Sequence, residues 1–96
     1  RYIDGYVLPV PKKNLAAYRK MATQAAKVWK KHGALSYCEA VGDDMQTKFC
    51  PGFPELVKPK RGETIVFSFI VFKSRAHRDR VNAKVMADPE LMDGFD

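Results

Sequence analysis

The spacing of apolar residues changes period along this chain, and each change marks an element. From Tyr2 to Val10 the side chains alternate, with Ile3, Gly5 and Val7 on one side and Tyr2, Asp4, Tyr6 and Leu8 on the other. That period, with its Tyr, Ile and Val content, predicts a first strand, which Pro9 and Pro11 are expected to close. From Asn14 to about His32 the period becomes helical: Leu15, Tyr18, Ala22, Ala25 and Trp29 share one face and Lys and Gln fill the other. Asn14 is expected to cap this helix and Gly33 to stop it, with Lys30, Lys31 and His32 complementing the dipole of its last turn. Ala34 to Val41 returns to alternation and predicts a second strand, Leu35, Tyr37, Glu39 and Val41 on one face and Ser36, Cys38 and Ala40 on the other. Gly42-Asp43-Asp44 turns the chain.

Met45 to Gly62 shows no period. It reads as a loop of roughly 20 residues, longer than most connections, broken by Pro51, Gly52, Pro54 and Pro59. Its apolar residues, Phe49, Phe53, Leu56 and Val57, are expected to fold it back on the domain, and buried anchors in so long a loop point to function. Glu63 to Lys73 is apolar on both faces, so both are expected to be covered. Ser74 to about Asp88 predicts a second helix, with Ser74 as its cap, Pro89 as its stop, and a modest apolar stripe of His77, Val81, Val85, Ala76, Ala83 and Met86.

Strand, helix, strand, strand, helix and a short tail is an α+β order. It matches the split βαβ of a ferredoxin-like fold, βαββα, whose fourth strand is missing from this chain. Asp93-Gly94-Phe95-Asp96 is the expected approach to that strand. Two helices cover one face of such a sheet. The strand from Thr64 to Lys73 would then leave Phe or Ile on the other face as an open patch, which soluble monomers avoid. A symmetric homodimer with two sheets packed face to face is the expected cover.

Composition narrows the classes. With 96 residues, 46% hydrophobic and 29% charged, the chain is expected to form a single domain over residues 1–96. No apolar run approaches the ~20 residues of a membrane helix, and the start does not read as a signal peptide, so a cytoplasmic, non-membrane protein is expected. Cys38 and Cys50 fit no metal or redox spacing; a reducing compartment keeps them free, while spacing alone also permits a bridge. The net charge of +6 is uneven. Eight basic residues against one acidic from Arg1 to Gly33 leave that third at +7, while the other two thirds are near neutral. A basic first helix either solvates its outer face or contacts anions or an acidic partner.

Candidate chemistry is sparse. Asp4, between Tyr2 and Tyr6, could act as a base if its face lines a closed interior, and Glu39 could join it there; otherwise both are structurally bonded or solvated. His77 is a candidate proton shuttle or a locally bonded side chain. Arg75, Arg78 and Arg80 beside Asp79 are anion-binding candidates or an exposed ion-pair lattice. The two histidines lie far apart without partners at ligand spacing, so neither a metal nor a cofactor is expected. There is no phosphate loop, no nucleotide fingerprint and no basic-aromatic signature for nucleic acid.

The run Arg1-Tyr2-Ile3-Asp4-Gly5-Tyr6-Val7-Leu8-Pro9-Val10-Pro11 resembles the opening of the YbaA-like family of bacterial proteins of unknown function. Lys73 to Met86 resembles its second signature. Gly33-Ala34-Leu35, Val41 to Asp44 and Gly62 to Ser68 also fit; Met45 to Pro59 fits least. The resemblance implies the dimeric α/β-barrel superfamily. It transfers no catalytic residue, because the family carries no established reaction. It also implies a continuation past Asp96 through a last strand, and the start at Arg1 without Met agrees with a piece of a longer protein. The leading functional expectation is a small homodimer holding a small organic molecule in a barrel or loop-lined pocket, with Asp4, Tyr6, Glu39 and His77 as candidate site residues. Superfamily analogy admits cofactor-free oxygenase or isomerase chemistry. The alternatives are a non-catalytic module using the basic first helix, or a purely structural unit.

Overall fold

The strand that is apolar on both faces holds the sheet together. In the computed structural model, which describes residues 1–93, this strand, β3 (Glu63–Phe72), lies between β1 (Tyr2–Pro11) and β2 (Ser36–Val41) and pairs antiparallel with both. An antiparallel strand needs only one apolar face, so the continuous apolar run of β3 makes the second face of the sheet apolar as well. Helix α1 (Leu15–Lys31) connects β1 to β2, so β3 is inserted into a β–α–β unit. After β3 come α3 (Arg75–Met86) and the short α4 (Glu90–Asp93), while α2 (Phe53–Val57) lies between β2 and β3. The result is a mixed α+β fold built on a three-stranded antiparallel sheet.

Register places every strand side chain. Tyr2, Asp4, Tyr6 and Leu8 pair with Phe72, Ile70, Ser68 and Val66. Tyr37, Glu39 and Val41 pair with Ile70, Ser68 and Val66. These residues share the face under α1 and α3, where Phe72, Val28, Val81 and Val85 are sealed from solvent with Ile70, Ala25 and Leu91 around them. Each sealed side chain contributes about 1.5–3 kcal/mol through area removed from water. The opposite face carries Ile3, Val7, Phe67, Phe69, Val71, Cys38 and Ala40. One end of it is covered, where Phe53 of α2 stacks on Phe67 at 5.6 Å and Ile65, opposite Pro9, is sealed; toward Ile3 it is open. The chain measures 38 × 33 × 15 Å. Its radius of gyration, 14.8 Å, exceeds the roughly 12.5 Å of a compact chain of this length.

Several expectations change in detail. β1 runs one residue past the expected end at Val10, through Pro11, so the prolines lie within the strand and do not close it. Lys12 N–H donates to Gly62 O, so by the two-residue period the even-numbered amides of β1 face β3, and Pro9 and Pro11 lack donors only on the free side. Asn14 makes no capping bond; the 3-10 turn Lys12–Asn14 leads straight into α1. Gly33, at φ 112°, does supply the left-handed stop. Ser74 Oγ accepts from His77 N–H at 3.1 Å, capping α3, but only Val81 and Val85 are buried there; Ala76, Ala83 and Met86 face solvent.

The long connection is not structureless: α2 forms behind Gly52, with Pro54 in its first turn. Phe53 is its anchor, while Phe49 and Leu56 stay largely exposed. A Cβ on Gly52 would come within 2.5 Å of the Met45 carbonyl oxygen, so a bare backbone there lets the loop close on itself. Cys38 and Cys50 are both exposed and free. The expected approach to a fourth strand lies outside the described residues, apart from Asp93, which ends α4. Among the described residues no helix is long and apolar enough to cross a membrane.

Candidate functional site

The edge strand β2 and helix α1 do not close on each other. Between them runs a groove of about 640 Å³, and α1 lines it from Leu15 to Lys30, a length of roughly 22 Å at the helical rise. Its apolar walls are Leu15, Ala22 and Ala26 from α1 with Val41 and Val66 from the sheet. Arg19, Lys27 and Lys30 stand along the rim. The helical stripe explains this. Ala22 and Ala25 are small where α1 meets the sheet, and the flank one step around the helix carries basic residues of the face expected either to be solvated or to contact anions.

Glu39 lies in this groove and is held from two sides. Tyr18 OH donates to its Oε2 at 3.0 Å, and Tyr37 OH donates to its Oε1 at 2.9 Å. Burial first, and the bond to Glu39 second, push both phenols well above the ordinary tyrosine value of 10.0. They are therefore donors at any physiological pH, and the carboxylate has one strong partner on each oxygen. Trp29 steadies the arrangement: its ring packs 6.0 Å from Tyr37, and its Nε1–H donates to Asn82 Oδ1 of α3 at 3.0 Å. Each carboxylate oxygen keeps a lone pair for a further donor.

A second polar cluster lies on the same sheet face under α3. Arg78 Nη1 donates to both oxygens of Asp4 at 3.0 Å, Nη2 donates to Tyr2 OH at 3.1 Å, and Nε donates to Asp79 Oδ1 at 2.8 Å. The guanidinium also lies 5.0 Å from the Tyr2 ring centre. This tie fastens α3 to β1. Burial first, then the Asp4 charge, raises the Tyr6 phenol.

The expected site residues divide accordingly. Asp4, Tyr6 and Glu39 do share a face, but it is the face beneath the helices and not the open one that two sheets would enclose. Alternation along a strand separates two faces without saying which one the helices cover. Asp4 and Tyr6 lie on β1 and Glu39 lies across β3 on β2, so the two carboxylates belong to separate clusters. His77 joins neither: its Nδ1 accepts from Lys73 N–H at 3.0 Å and its ring meets Phe72 edge-on. Arg75 and Arg80 are exposed, whereas Arg78 turns inward to Asp4, so the three do not form one anion patch. Tyr18 and Tyr37 were not among the expected site residues. The signal available for Tyr37 was its i, i+2 spacing from Glu39 on one strand face.

A third cluster joins the ends of α1 and α3. Asp88 Oδ2 lies 2.9 Å from Lys31 Nζ and 2.7 Å from His32 Nε2, and its Oδ1 accepts from Glu90 N–H. The Lys31 bond first, then His32 and the Glu90 amide, holds the Asp88 carboxyl far below its ordinary value.

Comparison with known proteins adds kinship without chemistry. The family model described as protein of unknown function (DUF1428) matches residues 1–96. The chain is 38% identical over 91 residues to the uncharacterized protein YbaA of Escherichia coli strain K12, covering 95% of this chain and 78% of that protein. The uncharacterized protein YbaA of Shigella flexneri matches to the same extent.

Proposed function

We infer that this chain, which belongs to the DUF1428 family of proteins of unknown function, is a binding protein whose α1–β2 groove takes a carboxylate-bearing organic ligand. The observation that carries this reading is Glu39, gripped by the Tyr18 and Tyr37 hydroxyls inside a groove rimmed by Arg19, Lys27 and Lys30. The rim offers cations to a carboxylate, the walls accept an apolar body, and the free lone pairs of Glu39 accept a ligand N–H or O–H. The test is amide NMR titration with 3-phenyllactate, which carries a carboxylate, an O–H and an apolar ring. Shifts are expected to cluster at Arg19, Lys27, Glu39 and Val41 and to vanish in Lys27→Glu/Lys30→Glu. Shifts scattered over the surface, or unchanged in that variant, overturn the reading.

The same proposal extends to the fold and the assembly. The β–α–β unit split by β3 is that of ferredoxin-like folds, and a dimeric barrel would pack two open sheet faces together. Surface arithmetic supports a second copy. The chain presents 6872 Å², roughly 1,300 Å² more than a monomer of 10.9 kDa is expected to show. A partner in a standard interface contributes about 800 Å². The open face is also the apolar one, with Ile3 59% exposed beside Phe69 and Val71. Phe69→Asp is expected to convert a dimer to a monomer in sedimentation equilibrium; a wild-type monomer at high concentration overturns this part. The free Cys38 and Cys50 thiols support a reducing, cytoplasmic setting.

A further inference from the structure

The two edges of the sheet are unlike. On β1 the outward backbone positions are the odd-numbered ones, and two of them are Pro9 and Pro11, which offer no N–H. On β2, Gly42 N–H donates to Ile65 O, which sets the even-numbered positions toward β3. With Ser36, Cys38 and Ala40 opposite Val71, Phe69 and Phe67, the ladder period turns the N–H and C=O groups of Tyr37, Glu39 and Val41 outward. Among the described residues no backbone bond outside the sheet satisfies them. β2 holds no proline and no lysine, the usual guards of an open edge. The residues whose backbone faces outward are the ones whose side chains line the α1–β2 groove.

We propose that β2 accepts an acidic peptide as an added strand, seated along the α1–β2 groove. This rests on the reading of that groove as a carboxylate site and names the bearer of the carboxylates. An extended segment of about seven residues at 3.3 Å each spans the roughly 22 Å length of the groove. Its side chains alternate between two environments. Those on the helix side meet Arg19, Lys27 and Lys30, which select Asp or Glu. Those on the other side continue the open sheet face beside Cys38 and Ala40, both exposed, which selects apolar residues. The occupant is therefore a strand of alternating acidic and apolar residues. Main-chain bonds to Tyr37, Glu39 and Val41 supply affinity and the basic rim supplies selection.

The probe is a fluorescein-tagged peptide, Glu-Val-Glu-Val-Glu-Val-Glu, followed by fluorescence anisotropy, with its counterpart N-methylated at the third and fourth residues, which removes an N–H facing β2 in either strand direction and keeps the charge. The expected result is saturable binding of the first, at least tenfold weaker binding of the second, and at least tenfold loss in Lys27→Glu/Lys30→Glu. Amide hydrogen exchange should slow at Tyr37, Glu39 and Val41 only when the first peptide is present. Equal binding of both peptides overturns strand addition and leaves a purely electrostatic contact. If 3-phenyllactate binds and neither peptide does, the peptide inference falls and the groove reading stands. If none of the three binds, both fall. Slow exchange at Tyr37, Glu39 and Val41 in the protein alone would show the edge already paired with a second copy and overturn the proposal.

Discussion

Removing the two phenol hydroxyls from Glu39 tests the candidate site at its centre. Tyr18→Phe and Tyr37→Phe each delete one oxygen and leave the ring in place, so packing is conserved. A hydrogen bond to a charged group contributes about 1.5–3 kcal/mol. Tyr18, Tyr37 and Glu39 are all only half-buried, so water replaces part of what is lost. The expected cost is therefore at the low end, about 1 kcal/mol for each variant. For a chain of this size that is a fall of about 4–8 °C in Tm. The two bonds end on different oxygens of one carboxylate. Once either phenol is gone, Glu39 is freer to swing toward solvent, so the double variant should cost less than the sum of the singles by roughly 0.5 kcal/mol. The phenols also set an alkaline limit. Both titrate above 10.0 in the folded chain, so their contribution is complete below about pH 10 and is lost as pH rises from there toward the folded values. In Tyr18→Phe/Tyr37→Phe that alkaline loss should shrink. The assay is thermal unfolding by circular dichroism at fixed protein concentration from pH 7 to pH 11. Single variants within about 0.3 kcal/mol of the parent, with an unchanged alkaline profile, would refute a working Tyr18–Glu39–Tyr37 arrangement.

Two further outcomes follow from the core and the helix junction. Phe72 is fully sealed between β3 and the helices, so Phe72→Ala should cost about 3–5 kcal/mol, read as a lowered urea midpoint with unchanged slope; a cost below about 1 kcal/mol would mean the core is not centred there. Asp88→Asn removes a carboxylate whose folded pKa is depressed below 3.8; its contribution is present above that value and fades as pH falls through the folded one, so the stability gap between parent and variant should be full at pH 7 and narrow below about pH 4. A gap that is constant across that range would refute the Lys31–Asp88–His32 junction.

Most of the framework was legible because it rests on short-range regularities. The alternation in Tyr2–Val10 and Ala34–Val41, the helical stripe from Leu15 to Trp29, and the two-sided apolar run of β3 each state their own period. Helix α2 was hidden because Gly52 and Pro54 read as breakers, although a glycine before a helix and a proline in its first turn are also starting signals. Closeness in sequence groups Arg78 with Arg75 and Arg80, but its spacing to Val81 and Val85, i+3 and i+7, puts it on the inward stripe of α3. The grip on Glu39 joins residues 21 and 2 positions apart. The Tyr18 half of it depends on how α1 crosses the sheet, which no local pattern encodes.

The single tryptophan of the chain stands where three elements meet. Trp29 belongs to α1, its N–H is tied to Asn82 of α3, and its ring lies against Tyr37 of β2. Tyr37 in turn lines the groove and holds Glu39. Light absorbed by that phenol has an indole acceptor 6.0 Å away, so the emission colour and yield of one residue register both the helix junction and the state of the groove. The molecule thus carries its own optical gauge, with no dye attached.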